Sequence, residues 1–278
     1  MKKGSFSTIL LVIMMIAGLS LLLYPSFSDF WNSKRQTEAI SSYSQMVSTI
    51  DDEEYEEIWV SAIAYNQELL NRDNTFVLTD EQKAAYMEQL NVSLINTMGF
   101  IEIPSIDCKL PIYHGTDESV LQVGVGHLDW TSLPTGGLST HCVLSSHRGL
   151  PSARLFTDLD ELAENDIFML HILDETLTYA VDQVKIVEPD ETDDLLIVEG
   201  KDYCTLVTCT PYGVNSHRML VRGVRTDNQE EAVNVRITAD AVQIEPVIIA
   251  PFLAIPVLLI LLIAVLVPKP SKNRRRNR

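Results

Sequence analysis

The sequence contains little cysteine, no internal repeat, no low-complexity tract and little positive charge away from its ends. Its four cysteines are separated by 34, 62 and 5 positions, and these spacings match no CxxC pattern of the kind that binds structural zinc. The sequence therefore predicts no metal site. The 278 residues, 46% of them hydrophobic, are sufficient for one sizeable core with further segments at the ends.

Positive charge is scarce throughout the middle of the chain. All 38 acidic residues lie between residues 25 and 246, together with only 13 of the 21 basic residues. The resulting net charge of −25 excludes electrostatic binding to nucleic acid or to an anionic membrane surface. It would attract lysine-rich partners, although the solubility of an exported domain is the simpler explanation.

Two long apolar runs lie at opposite ends of the chain. They cover residues 9–24 and 247–267, and about 20 apolar residues can cross a membrane as a helix. Basic residues occupy the outer flanks, at 1–8 and 268–278. The positive-inside rule then predicts that both termini are cytoplasmic and that the region between the runs is extracytoplasmic.

The first apolar run has an alternative interpretation as a cleaved signal peptide. No small-x-small cleavage site follows it, since the segment Pro25–Trp31 is rich in bulky residues. Tyr24 and Trp31 suit a membrane–water interface. We therefore favour a retained transmembrane anchor.

Residues 25–97 have the periodicity of an extracytoplasmic helical region. Apolar residues recur at three- and four-residue spacing over Ser33–Met46 and Glu53–Leu70, which predicts two helices. Thr79 and Gln82 stand in capping-box register and predict the start of a third helix.

From residue 98 to about residue 230 the pattern changes to short apolar and β-branched segments. Their density predicts a mainly β fold, with a single closed or nearly closed barrel. A juxtamembrane linker at 231–246 would follow it. The predicted elements are the strands Gly99–Pro104, Leu110–Tyr113, Cys142–Ser145, Ile167–Ile172, Thr176–Val181, Val184–Val187, Cys204–Thr208 and Met219–Val224, a hairpin turn at Asp174–Glu175 and a helix at Arg154–Leu162.

Cys209 occupies the point where a predicted strand opens into a loop. The apolar run Tyr203–Thr208 precedes it, Pro211 and Gly213 interrupt the strand, and Arg218 lies where the next strand starts. If the two strands pair as a hairpin, the thiol and the guanidinium face each other across the loop mouth. This pattern predicts a nucleophile beside a positive charge, whereas a cysteine that only fills space is the simpler alternative.

A cysteine nucleophile needs a proton partner, and the chain has six histidines. His147 directly follows the predicted strand Cys142–Ser145 and ranks first by position. His171 lies in mid-strand, and His217 should point away from the neighbouring arginine. Three others in a turn-rich segment stay open as candidates: His114, His127 and His141.

Several segments resemble the sortases, the cysteine transpeptidases of Gram-positive cell surfaces. Thr205–Cys209 fits their TLxTC signature, and Ser146–Asp160 is similar to the histidine segment of class C, the pilin-polymerising class. Gly99–Pro104, Thr210–Gly213 and Asn215–Arg218 are also similar to that class, as is the second apolar run. The resemblance extends from about residue 40 to the C-terminus.

The resemblance implies an eight-stranded sortase barrel with N-terminal helices and two flanking transmembrane helices. It implies that Cys209 is the nucleophile, His147 the general acid/base and Arg218 the oxyanion-binding or substrate-positioning residue. The substrates would be pilin or surface proteins with an LPxTG-like sorting signal, cut between Thr and Gly through a thioester and joined to a pilin lysine. The enzyme would reside in the plasma membrane of a Gram-positive bacterium and would require no metal or organic cofactor.

Two alternative functions stay open beside pilus polymerisation. One is a sortase that anchors single surface proteins to cell-wall peptidoglycan. The other is a non-enzymatic membrane scaffold with a sortase-like barrel, which requires Cys209 to be inert. The second apolar run and the long helices before the barrel favour pilus polymerisation.

Class C sortases usually carry a lid with an Asp-Pro-aromatic motif that plugs the active site, and this sequence departs from it. When the chains are aligned on Thr79–Gln82, the corresponding residues are Phe76, Val77 and Leu78. The acidic anchor and the proline are missing. Either the lid docks through apolar contacts alone, or the enzyme lacks the usual self-inhibition. We predict a weakly held lid.

Cysteines of an exported domain can form disulfides. Cys204 and Cys209 are an odd number of positions apart, so they point to opposite faces of a regular strand, and Cys204 is predicted to lie in the core. A Cys108–Cys142 bridge stays open.

Overall fold

The computed structural model describes residues 3–72, 76–92 and 97–228. Of the described residues, 3–28 belong to one unit of the chain and 29–228 to the other. Three predicted segments lie outside the described residues: the linker at 231–246, the second span at 247–267 and the basic tail at 268–278.

Helix α1, Lys3–Val47, contains the first apolar run. Its most apolar 18-residue window has a mean hydropathy of 2.2, and none of that window is buried. Within the part of the chain that the structure describes, α1 is the one helix long and apolar enough to cross a membrane. A signal sequence near the N-terminus meets the same criterion, so a retained anchor at 9–24 stays a prediction.

The other predicted helices precede the barrel. The segment Ser33–Met46 is helical as predicted, but it continues α1 rather than forming a separate helix. Helix α2, Asp52–Leu69, begins with three acidic side chains, which the positive end of the helix dipole favours. Helix α3, Asp80–Glu88, begins with the predicted capping box between Thr79 and Gln82.

Eight strands of the described residues form one closed barrel in the order β1-β2-β3-β4-β7-β8-β6-β5. The pairs β2–β3 and β4–β7 are parallel, and the other pairs are antiparallel. A mainly β barrel of eight strands is therefore confirmed. The strands are β1 Thr97–Ile103, β2 Cys108–His114, β3 Val125–His127, β4 Thr140–Ser145, β5 Ile167–Ile172, β6 Glu175–Val187, β7 Asp202–Thr210 and β8 His217–Arg225.

The predicted and observed strand counts agree, although one strand was predicted as two and another strand was not predicted. The predicted strands Thr176–Val181 and Val184–Val187 are one strand, β6, whose pairing with β8 shifts between Val181 and Gln183. A bulge of this kind adds a residue and breaks the alternation from which strands are predicted. Conversely, β3 has three residues, too few to produce a periodic pattern.

The predicted hairpin turn at Asp174–Glu175 is displaced by one residue. Glu175 already pairs with Ile172, so the turn consists of Leu173 and Asp174. Leu173 has a φ of 51°, a left-handed conformation that leucine rarely adopts. The sequence therefore gives little indication of where this turn begins.

The predicted helix at Arg154–Leu162 is wrong. Leu155 has a φ of 46°, which a right-handed helix cannot accommodate, and only a 3₁₀ turn at Leu159–Glu161 forms. The helix-like apolar spacing has another cause, because Leu155, Phe156 and Leu162 all pack into the barrel core from an irregular segment.

Tyr43 attaches the C-terminal end of α1 to the barrel strands. Its side chain is 1% exposed. The hydroxyl donates to the Met98 carbonyl at 2.9 Å and accepts from the Leu173 N–H at 2.8 Å. One side chain thus joins α1 to β1 and to the β5–β6 turn.

A Tyr43→Phe substitution should lower the free energy of unfolding by about 1–3 kcal/mol, because two buried backbone groups lose their partner. The midpoint of chemical denaturation, measured on the full chain in detergent, gives this change. Tyr55→Phe is the matched control, since its hydroxyl makes a long contact of 3.5 Å with Glu175 at the surface. Equal losses in the two variants would contradict the assigned role of Tyr43.

Candidate active site

Cys209 and Arg218 are direct partners across the β7–β8 hairpin. The antiparallel register pairs Cys209 with Arg218 and Thr210 with His217. Residues directly opposite each other in an antiparallel pair project to the same face. The predicted hairpin is therefore confirmed, and it brings the half-buried thiol and the guanidinium to the same face of the sheet at the loop mouth.

The loop that follows β7 also orients the Arg218 side chain. The Nη1 atom donates to the Asn215 carbonyl at 3.2 Å and to the His217 carbonyl at 3.0 Å. A guanidinium has five N–H donors, so these two bonds hold the group in place and leave further donors for a ligand. Asn215 has a φ of 59°, a conformation that asparagine tolerates.

His147 lies at the end of the strand next to β7. Strands β4 and β7 run parallel with Ser145 opposite Val207. The ladder continues past β4, because the Ser146 N–H donates to the Val207 carbonyl at 3.1 Å and the Thr208 hydroxyl donates to the Ser146 carbonyl at 2.9 Å. His147, just beyond β4, and Cys209, near the end of β7, thus lie at the same end of two adjacent strands.

Glu118 contacts the imidazole of His147. Its Oε2 atom lies 3.3 Å from His147 Nε2, and its Oε1 atom accepts from the Gln122 amide at 2.9 Å. Glu118 begins the short helix α4, Glu118–Leu121. The sequence does not indicate this residue, because a four-residue helix has no periodicity and Glu118 is 29 positions before the histidine.

The loop of His147 and the loop after Cys209 are in contact. Gly149 has a φ of 74°, and a Cβ atom there would lie 2.3 Å from a ring carbon of Tyr212. Only glycine permits both this backbone conformation and this approach of the aromatic ring. The contact ties the histidine loop to the β7–β8 loop.

The other five histidines each have a structural partner. Burial lowers the pKa of His141 and of His171. The three histidines predicted in a turn-rich segment all lie on strands instead, His114 on β2, His127 on β3 and His141 on β4, and all three are buried. The contacts are His114 with the Gln89 carbonyl, His127 with the Ser132 carbonyl, His141 with the Thr205 hydroxyl, His171 with the Thr176 hydroxyl and His217 with Glu188.

Two of the three predicted lid residues, Phe76 and Leu78, make apolar contacts, with Trp130 and with the barrel core. The Phe76 ring packs edge-on against Trp130, with centroids 4.8 Å apart, while Val77 is 80% exposed. Phe76 and Leu78 help to line a small surface pocket with Trp130 and His141. None of the three residues Cys209, His147 and Arg218 lines that pocket.

Replacing Phe76 and Leu78 by Ala together should change the alkylation rate of Cys209 by less than about a factor of two, because thiol reactivity follows its own exposure and charge environment. The pseudo-first-order rate with a small haloacetamide gives this value. The matched control is Val77→Ala, which removes an exposed side chain of the same segment. A large acceleration in the double variant alone would show instead that the lid shields the thiol.

All four cysteines are free thiols. Cys142 on β4 is opposite Cys204 on β7, and both are buried in the core, as predicted for Cys204. The open Cys108–Cys142 bridge is not formed, since both residues are free thiols. Burial raises the pKa of the Cys108 thiol to about 12, so this thiol is unreactive at neutral pH.

No group of three or more His, Cys, Asp or Glu side chains suited to a metal ion is found within 3–72, 76–92 and 97–228.

Comparison with known proteins identifies a family. A model of the sortase domain matches residues 101–226. The structure is similar to sortase C1 from Streptococcus agalactiae, with 51% sequence identity and a TM-score of 0.67 over 69% of this chain and 99% of the other.

Two further solved structures are similar at comparable levels. Sortase C from Clostridium perfringens, solved with the C-terminal cell wall sorting motif, is 47% identical, with a TM-score of 0.61 over 69% of this chain and 100% of that one. Sortase C from Streptococcus pneumoniae, whose structure is described as informative about catalysis and pilin substrate specificity, is 44% identical, with a TM-score of 0.62 over 69% and 97% of the two chains.

Proposed function

Since this chain belongs to the sortase family of cysteine transpeptidases, in class C, we propose that it polymerises pilin subunits and that Cys209, His147 and Arg218 carry out the reaction. The substrate is a surface protein with an LPxTG-like sorting signal. The acceptor is a lysine amine on the next pilin subunit. The sorting motif in the related Clostridium structure and the pilin specificity of the related Streptococcus enzyme support this substrate class.

The first half of the reaction transfers the acyl group to the enzyme. The Cys209 thiolate attacks the carbonyl carbon of the signal threonine, and the Thr–Gly bond breaks. His147, as imidazolium, gives its proton to the departing glycine amine. A thioester between Cys209 and the threonine results.

The second half passes the acyl group to the acceptor. The lysine amine attacks the thioester carbonyl, neutral His147 takes a proton from it, and the Cys209 thiolate leaves. An isopeptide bond forms, and thiolate and imidazolium are restored. In both halves Arg218 donates hydrogen bonds to the negative charge on the carbonyl oxygen, or holds the substrate there.

The observation that supports this proposal most directly is the register of β4, β7 and β8. Cys209 is opposite Arg218, and His147 follows the strand that runs parallel to β7. The three residues lie 62 and 9 positions apart in sequence, yet all three are at the same end of the adjacent strands β4, β7 and β8.

We place the catalytic unit outside the plasma membrane of a Gram-positive bacterium. Helix α1 supports one membrane anchor. The apolar run at 247–267 and its basic tail support a second anchor, with both termini in the cytoplasm.

Incubation of the full chain, in detergent, with a pilin that carries an LPxTG-like signal tests the proposal. The expected product is a ladder of covalent pilin oligomers, with Thr–Lys isopeptide bonds identified by mass spectrometry. Cys209→Ala should give no ladder. Monomers joined only to peptidoglycan fragments would instead assign the wall-anchoring reaction, and a ladder formed by the Cys209→Ala protein would contradict the mechanism.

A further inference from the structure

The two carboxylate oxygens of Glu118 have different partners, Gln122 and His147. Its Oε1 atom is occupied by the Gln122 amide, at 2.9 Å, which leaves Oε2 for His147 Nε2 at 3.3 Å. The Gln122 N–H in turn donates to the Glu118 carbonyl at 3.1 Å. The bond from Gln122 thus orients the carboxylate, which is 67% exposed, from within its own helical turn.

Both ends of this contact are tied to the barrel. Just after α4, the Gly124 carbonyl accepts from the Ser146 hydroxyl at 2.7 Å, and Ser146 immediately precedes His147. On the outside, the Gln36 amide of α1 donates to the Val123 carbonyl at 3.0 Å. Two contacts thus join the α4 segment to the histidine loop. One is the bond between Ser146 and Gly124, and the other is the contact between Glu118 and His147.

We propose that Glu118 is a positioning residue that accepts the Nε2–H of His147, selects the imidazolium form and leaves Nδ1 to exchange protons with the thiol and the amines. This inference rests on the proposed function. A carboxylate that accepts from one ring nitrogen fixes both the tautomer and the orientation of the imidazole. It also favours the charged form of the ring, which the leaving glycine amine requires.

The charge distribution around the contact agrees with this role. The hydrogen bond from Gln122 and the charge of His147 hold the pKa of the Glu118 carboxyl below its ordinary value. Arg148 follows His147 in the same loop and is paired with Asp160, and Arg218 is the partner of Cys209 on the adjacent hairpin. Glu118 is thus the anionic group in contact with the imidazole.

Removing the Glu118 charge should change how the reaction rate depends on pH. A free thiol titrates near pH 8.5 and a free imidazole near 6.5, so the acid limb of the rate profile follows the imidazole. Glu118→Gln keeps an acceptor oxygen but loses the charge. It should move the acid limb down by about 0.5 pH unit and lower the plateau by about threefold, the size expected of an exposed ion pair. The difference in rate between wild type and Glu118→Gln should become smaller in 1 M salt, which screens exposed charges.

Titration of His147 by NMR, on the full chain in detergent, tests the inference without any substrate. The expected result is a shift of the His147 titration midpoint to lower pH in Glu118→Gln, and a loss of the Nε2–H tautomer in Glu118→Ala. Asp117→Asn is the matched control, because it removes the same charge one residue earlier and should leave His147 unchanged. Identical His147 titrations in wild type and Glu118→Gln would overturn the inference.

Kinetics with a sorting-signal peptide separate this inference from the proposed function. If the wild-type chain forms no thioester with the peptide, the proposed function fails, whatever the NMR titration shows. If it does, Glu118→Gln should lower kcat with little change in KM, and Glu118→Asp should recover part of the rate. Unchanged pH profiles in both variants would remove Glu118 from the mechanism and leave the roles of Cys209 and His147 intact.

Discussion

A His147→Gln variant is expected to lose about 10²–10⁴-fold in the rate of thioester formation, the range that general acid–base catalysis contributes. The amide has nearly the length of the ring and can still accept or donate a hydrogen bond, but it cannot carry a proton to the departing glycine amine. The fold should persist, because the loop is held by its backbone: the His147 carbonyl accepts from the Phe156 N–H at 3.1 Å.

Two measurements distinguish a lost proton donor from a damaged site. Thioester formation with a sorting-signal peptide, followed by mass spectrometry, should fall by the full factor. Alkylation of Cys209 at about pH 10, where a free thiol ionises without help, should proceed at the wild-type rate. His217→Gln is the matched control, since His217 is also at the loop mouth but contacts Glu188. Equal losses in the two variants would contradict a specific role for His147.

The part of the site that sequence alone predicts is local. The β-branched run before Cys209 predicts β7, Pro211 and Gly213 end it, and the return of apolar residues after Arg218 predicts β8. The single stretch Tyr203–Val224 therefore contains the information needed to place the thiol opposite the guanidinium. The fold class can also be predicted from the sequence. The number of short strands follows from local composition and does not require knowledge of which strands pair.

What the sequence does not predict depends on distant or irregular structure. The parallel pairing of β4 with β7 joins segments about 60 residues apart, so the position of His147 beside Cys209 is a property of the closed barrel. Helix α4 and strand β3 are too short to produce a periodic pattern. The sequence therefore does not indicate that Glu118 lies near the site. Leu155 has a left-handed backbone that its side chain does not favour, and this turns an apparent helix into an irregular segment.

An Arg218→Lys variant should lose about 10²-fold in kcat, comparable with the removal of one oxyanion-binding donor in other enzymes. The substitution keeps the positive charge, so any loss reports the geometry of the donors. The guanidinium is held by the carbonyls of Asn215 and His217 and still has N–H groups available. A lysine ammonium has three donors on a flexible chain, so bonding to both carbonyls leaves it poorly directed toward a substrate oxygen.

The two roles that stay open for Arg218 differ in which kinetic constant changes. An oxyanion-binding residue acts mainly in the transition state, so kcat falls and KM changes little, whereas a substrate-positioning residue raises KM. Arg222→Lys on the same strand is the matched control, because Arg222 is paired with Asp182 at 2.9 Å, and its loss should leave both constants near wild type. Since alkylation of Cys209 develops no oxyanion, its rate in Arg218→Lys should stay within about threefold of wild type. A fall in alkylation as large as the fall in kcat would mean that Arg218 acts by stabilising the thiolate instead.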